Sequence, residues 1–148
     1  MFIKTAAWGS MEISEEQVYH FPKGIPGFQE ELDFALIDLE EGQFAQLQSL
    51  QTAELAFLLA DPFVFYPQYE FDLPQNDMDE LQIKDSVVIR SIVTIKNPLD
   101  QSTLNLLAPV VLNPDTRMGK QVVLHKSAYQ SRHLLWGETH NELERGGE

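Results

Sequence analysis

A chain of 148 residues with no cysteine and a formal net charge of −13 has the length of one domain. It has no route to a disulfide, a thiolate metal site or a cysteine nucleophile. Its 43% hydrophobic and 22% charged residues make a globular balance, not a disordered one. With 23 acidic against 10 basic side chains, its field repels phosphate backbones and argues against direct nucleic-acid binding.

The first strand expected is Phe2–Ala7, inside a start (MFIKTAAWGSMEI) that Lys4, Gly9 and Glu12 interrupt before an apolar signal segment can form. Ser14-Glu15-Glu16-Gln17 has the spacing of a capping box with room for one short turn. Strands are then expected at Gln17–Phe21, Phe34–Leu39, Phe44–Leu50 and Leu55–Ala60. The apolar runs are far shorter than the roughly 18–20 residues of a membrane span, so a soluble, cytoplasmic protein with no membrane partner is expected. Gln68 to Leu73 alternates strictly, with Tyr69, Phe71 and Leu73 on one face and Gln68, Glu70 and Asp72 on the other, the pattern of a half-buried strand. Pro74 to Leu81 reads as a short helix, with proline first and acids early. Val87–Ile95, Leu104–Leu112 and Gln121–Leu124 complete the strand candidates, β-branched residues being most frequent in the first. Pro67 and Pro109 cannot donate to a ladder, so each marks an edge, a bulge or a break.

Many short strands separated by Trp8-Gly9-Ser10, Asn97-Pro98, Asn113-Pro114-Asp115 and Met118-Gly119 point to a mostly β domain. It should be a small antiparallel barrel-like or sandwich fold with one or two short helical turns. Residues 1–135 form that single domain, and 136–148 read as a flexible C-terminal tail. The charge is divided along the chain. Residues 1–83 hold 16 acids and 2 basic side chains, whereas 84–135 hold 3 acids and 7 basic ones. An acidic first half suits a basic protein partner, since complementary fields raise encounter rates.

Catalytic constellations are not legible. His20, His125, His133 and His140 have no second ligand at metal spacing, and no zincin, nucleophile-elbow or phosphate-loop pattern occurs. Asp77-Met78-Asp79-Glu80 lacks the glycine and terminal glutamate of a calcium loop. No catalytic residue, metal or cofactor is therefore assigned. The alternative reading is a barrel enzyme or small-ligand binder whose carboxylates converge only on folding.

Three segments carry an unusual pattern: Phe21-Pro22-Lys23-Gly24-Ile25-Pro26-Gly27-Phe28, the aromatic run DPFVFYPQYEF at 61–71, and NLLAPVVLN at 105–113 with Arg117, Gly119, Lys120 and Gln121 trailing it. In this order and spacing, from about residue 2 to 134, the chain resembles the FliW family of flagellar assembly factors. The resemblance implies a small antiparallel β-barrel-like fold without enzymatic activity and two protein partners. One is flagellin, held in the cytoplasm; the other is CsrA, a basic translational repressor of flagellin synthesis that the factor antagonises once flagellin is exported. Glu70 and Asp72, on the polar face of the alternating segment, are the first candidates for contacting basic groups. Asp61, Phe65, Tyr66 and Tyr69 follow as anchors near the strand break, and Ile25 and Phe28 as further candidates in the loop.

Overall fold

The fold is given by a computed structural model that describes residues 1–39 and 42–136. Eleven strands are assigned among them: β1 (Phe2–Thr5), β2 (Gly9–Glu12), β3 (Val18–His20), β4 (Asp33–Asp38), β5 (Phe44–Ser49), β6 (Ala56–Ala60), β7 (Val88–Thr94), β8 (Thr103–Leu104), β9 (Val110–Asn113), β10 (Met118–Gln121) and β11 (His133–Leu134). Two short helices, α1 (Pro62–Phe65) and α2 (Gln75–Glu80), lie between β6 and β7.

Strands β3 to β7 are successive antiparallel neighbours. β9 returns to pair with β7, and β10 with β9. The circle closes where β10 meets β3 in parallel at Met118 and His20, helped by the His20 N–H donating to the Arg117 carbonyl at 2.8 Å. The result is a closed seven-stranded barrel. β8 and β11 extend the C-terminal end of β7, and β1–β2 is a separate hairpin.

The inside is filled by Tyr19, Phe21, Ile25, Phe34, Leu47, Leu59, Val110 and Leu112, among others. Parts of the outside are apolar as well. In β4, Phe34 and Leu36 point inward while Ala35 and Ile37 point outward, under Ile3 and Ile13 at the β1–β2 hairpin. A strand covered on both faces needs no polar alternation. A second outer patch, Ala60, Val93 and Leu104, is covered by Phe65 of α1 and by Leu135. A third, Val111 and Val122 with Ile89, is covered by Phe71, Leu73, Leu81 and Ile83. The segment between β6 and β7 thus serves as a lid over two sides of the barrel.

Several sequence expectations change in detail. Pro67 follows a helical turn, not a strand: Asp61 caps it, its Oδ1 accepting the Phe63 N–H at 3.0 Å, with Pro62 in the first turn. Proline fits there because it lacks only a donor that a helix start leaves unused. Gln68 to Leu73 keeps its two-faced alternation, since Tyr69 is buried and Phe71 and Leu73 half-buried between exposed neighbours, yet it joins no sheet. The expected strand Leu104–Leu112 is two strands, broken where Asn105 Oδ1 accepts the N–H groups of Leu107 and Ala108. Of Gln121–Leu124, only Gln121 belongs to a strand; Val122 and Leu124 continue with bonds to the Pro109 and Leu107 carbonyls. Helix α2 and the turn at Glu15–Gln17 lie where expected. Of the proposed tail, 137–148 falls outside the described residues.

Barrel closure depends on Gly119 of β10. A Cβ there would sit 2.6 Å from the Phe21 ring and 2.9 Å from Leu112 Cδ2. Replacing it with alanine is expected to destabilise the fold by about 1–3 kcal/mol through overpacking. Urea denaturation checks this, and a G119A midpoint equal to the parent's would show that the seam yields freely.

Candidate protein-binding surface

The eight candidate residues occupy different depths. Ile25 is 1% exposed and Tyr69 4%, so neither side chain is open to a partner in this conformation. Gly24, at φ +63°, turns the loop so tightly that a Cβ would lie 2.6 Å from Gln29 Cα, and this turn drives Ile25 into the barrel. Phe28 remains exposed and packs edge-on against Phe57 at 5.6 Å. Asp61 caps α1 and faces the Arg90 guanidinium at 3.9 Å. Phe65 packs on Phe44 at 5.5 Å, and the Tyr66 hydroxyl donates to the Leu134 carbonyl. Glu70 and Asp72 are exposed, and their carboxylates form no ion pair among the described residues.

An aromatic ladder holds this region together. Tyr69 is its centre, contacting Phe63 at 5.7 Å, Phe71 at 5.3 Å and Tyr129 at 4.7 Å between ring centroids. Tyr129 and Tyr66 both meet the ring of His133. The Tyr69 hydroxyl donates to the Leu106 carbonyl at 2.8 Å, and the Glu70 N–H donates to the Tyr129 hydroxyl at 3.1 Å. Burial, with Tyr129 beside it, holds the Tyr69 phenol well above its ordinary pKa. At the surface end of the ladder, Phe63 and Val64 of α1 are 42% and 46% exposed. Their sequence signal was Asp61-Pro62, a helix-start pair that begins a turn with the consecutive Phe63 and Val64 on its outer side. Tyr129 lies in a loop with no periodicity, and nothing in the sequence marks it.

Two acids of the neighbouring helix are engaged. Lys120 on β10 bonds to Asp77 and Glu80 of α2, and Lys23 reaches Glu80 at 2.6 Å. The bonds from Lys120, then Lys23, hold the Glu80 carboxyl below its ordinary pKa. Burial alone would lower the pKa of Lys120, but Asp77 and Glu80 outweigh it and raise it. Asn113 Nδ2 donates to the Leu81 and Gln82 carbonyls at the end of α2. The motif residues Gly24, Asn113, Gly119 and Lys120 therefore build the fold rather than a surface. The cleft lined by Pro22, Lys23, Glu80, Leu81, Gly119 and Lys120 has a volume of about 10 Å³, room for one water at most. Among the described residues, no group of three or more histidines and acids is placed to hold a metal. No described helix is long and apolar enough to cross a membrane.

Residues 2–135 match the family model of the FliW protein. The chain is 43% identical to the flagellar assembly factor FliW of Geobacillus thermodenitrificans, covering 93% of this chain and 97% of that protein. To that of Bacillus subtilis it is 43% identical, covering 94% and 99%. Among solved structures, a crystal structure of the flagellar assembly factor FliW superposes with a TM-score of 0.87 at 42% identity, covering 93% of this chain and 99% of that one.

The ladder predicts a linked stability and pH effect. A Tyr69→Phe variant leaves the Leu106 carbonyl without its donor, at an expected cost of about 1–2 kcal/mol near neutral pH. In the parent, the folded phenol binds its proton more tightly than the unfolded one. Its contribution is therefore fully present below the unfolded pKa of 10.0 and lost as pH rises from there toward the higher folded value. Urea titrations at neutral pH and at about pH 11 should show a smaller alkaline loss in the variant; equal losses would remove Tyr69 as the cause.

Proposed function

This chain belongs to the FliW family of flagellar assembly factors, and we propose that it acts without catalysis, as a binding regulator of flagellin synthesis. In this reading it holds flagellin in the cytoplasm. When flagellin is exported, the freed factor binds CsrA and relieves repression of flagellin synthesis. The observation that carries the reading is the make-up of the 61–72 segment: two exposed carboxylates, Glu70 and Asp72, with no ion pair among the described residues, and the exposed Phe63 and Val64. Apolar anchors rimmed by charge are what a protein–protein contact uses. A basic repressor would meet the acids, which also steer its approach.

The rigidity of the site supports a binding role. The aromatic ladder and the Asp61 cap fix the turn before a partner arrives, so little ordering entropy is lost on association. The filled barrel interior offers binding energy only from its outside.

Reversing both charges, Glu70→Lys with Asp72→Lys, is expected to weaken CsrA binding about tenfold or more, which is about 1.4 kcal/mol. The fold should be unaffected, because neither carboxylate has a structural partner among the described residues. Titration calorimetry against purified CsrA measures the change, with circular dichroism melts as the folding control. Unchanged affinity in a folded double variant would remove these residues from the site. Pull-down from motile cells tests the reading as a whole, and recovery of neither CsrA nor flagellin while both are expressed would overturn it.

A further inference from the structure

Residues 70–73 have the side-chain order of a strand without the ladder of one. Glu70 and Asp72 face solvent, whereas Phe71 and Leu73 lie half-buried against the outer barrel patch of Val111 and Val122. Pro74, which follows at φ −56° and ψ 142°, has no N–H to donate and ends the segment. The Glu70 N–H is taken by the Tyr129 hydroxyl. In an extended chain, neighbouring residues direct their N–H and C=O groups to opposite edges. Tyr129 therefore covers the edge of Glu70, and Phe71 and Leu73 present their backbone groups to the other. Neither the N–H nor the C=O of Phe71 or Leu73 is hydrogen-bonded among the described residues. Folded chains almost never bury backbone groups in that condition, so these face water.

We propose that the backbone edge at Phe71–Leu73 docks an extended segment of a protein partner, added as a strand, with cationic side chains at two alternating positions. Strand addition takes affinity from main-chain hydrogen bonds and specificity from alternate side chains. On the solvent face, positions two apart in the incoming strand stand opposite Glu70 and Asp72, within the roughly 4.5–5.5 Å between Cβ atoms of cross-strand pairs. Opposite charges there stabilise and like charges destabilise. This disfavours a second copy of the chain as the occupant, because residues 1–83 hold 16 acids against 2 basic side chains and paired copies would set acid against acid. The inference rests on the reading of Glu70 and Asp72 as partner-facing, and adds the mode of contact and the pattern the partner must carry.

The probe is the peptide acetyl-Thr-Lys-Val-Lys-Val-Thr-amide, titrated into the full chain with backbone amide exchange followed by NMR. Two control peptides accompany it, one with the lysines contiguous and one with alternate amides N-methylated. At saturation, exchange at the Phe71 and Leu73 amides is expected to slow about tenfold or more, and both controls should bind about tenfold more weakly, as should the parent peptide to a Glu70→Gln, Asp72→Gln variant. The proposal is overturned if the N-methylated peptide binds as well, if protection appears elsewhere, or if nothing binds. It is equally overturned if the chain alone self-associates with these amides already protected. Its failure is separable from that of the functional reading. Repressor binding without protection at Phe71 and Leu73 would sink the edge alone, whereas pairing with the peptide but no repressor binding would sink the partner alone.

Discussion

The contact of the Phe21 ring with the backbone of Gly119 is the constraint on which this molecule turns. It lies at the seam where β10 meets β3, a parallel pairing with one register pair. Any side chain at 119 would push Phe21 out of the space it fills between the strands. With the seam shut, each strand of the barrel has a neighbour on both sides, and the interior becomes one continuous apolar mass. A closed, filled barrel has little to offer inside. Recognition is left to what covers the outside.

Those coverings are dictated by the barrel's outer faces. Strands such as β4 and β9 are apolar on both sides, so their outer faces must be shielded by something that is not a strand of the barrel. The β1–β2 hairpin shields one patch, and the long connection between β6 and β7 shields two. Because that connection places Phe65, Tyr69, Phe71 and Leu73 against the barrel, residues that precede or alternate with them are turned outward. Phe63, Val64, Glu70 and Asp72 are exposed as the geometric complement of the packing. The proposed binding surface is in this sense a by-product of covering the core.

Electrostatics then divides the acids into two sets. Asp77 and Glu80 are held by Lys120 and Lys23, which join α2 to β10 and to the loop after β3. Asp77 is buried, and without Lys120 its charge would lie in low dielectric with nothing to balance it. Glu70 and Asp72, a few residues earlier, have no such tie among the described residues. Motif residues that looked functional in sequence are largely structural: Asp61 caps a helix, Asn105 and Asn113 satisfy turn and helix-end backbone groups, and Gly24 and Gly119 make room for neighbours.

By itself the sequence determined the class of the molecule: a mostly β fold of the FliW kind, acidic in its first half, with α2 and the strands β1 and β3 to β7 legible to within a residue or two. Hydrophobic periodicity and turn residues are local, and local signals suffice for elements. Tertiary structure decided what those elements do. Alternation at 68–73 told which side chains share a face, but a strand pattern is the same whether or not a neighbour supplies the ladder, so only the fold could leave that edge unpaired. Nor could spacing disclose that Tyr69 is a buried keystone while Phe63 is exposed, because both belong to one aromatic run and differ only in what the barrel places beside them. Tyr129, far along the chain, entered the site for the same reason: contact across 59 residues is a property of packing, not of pattern.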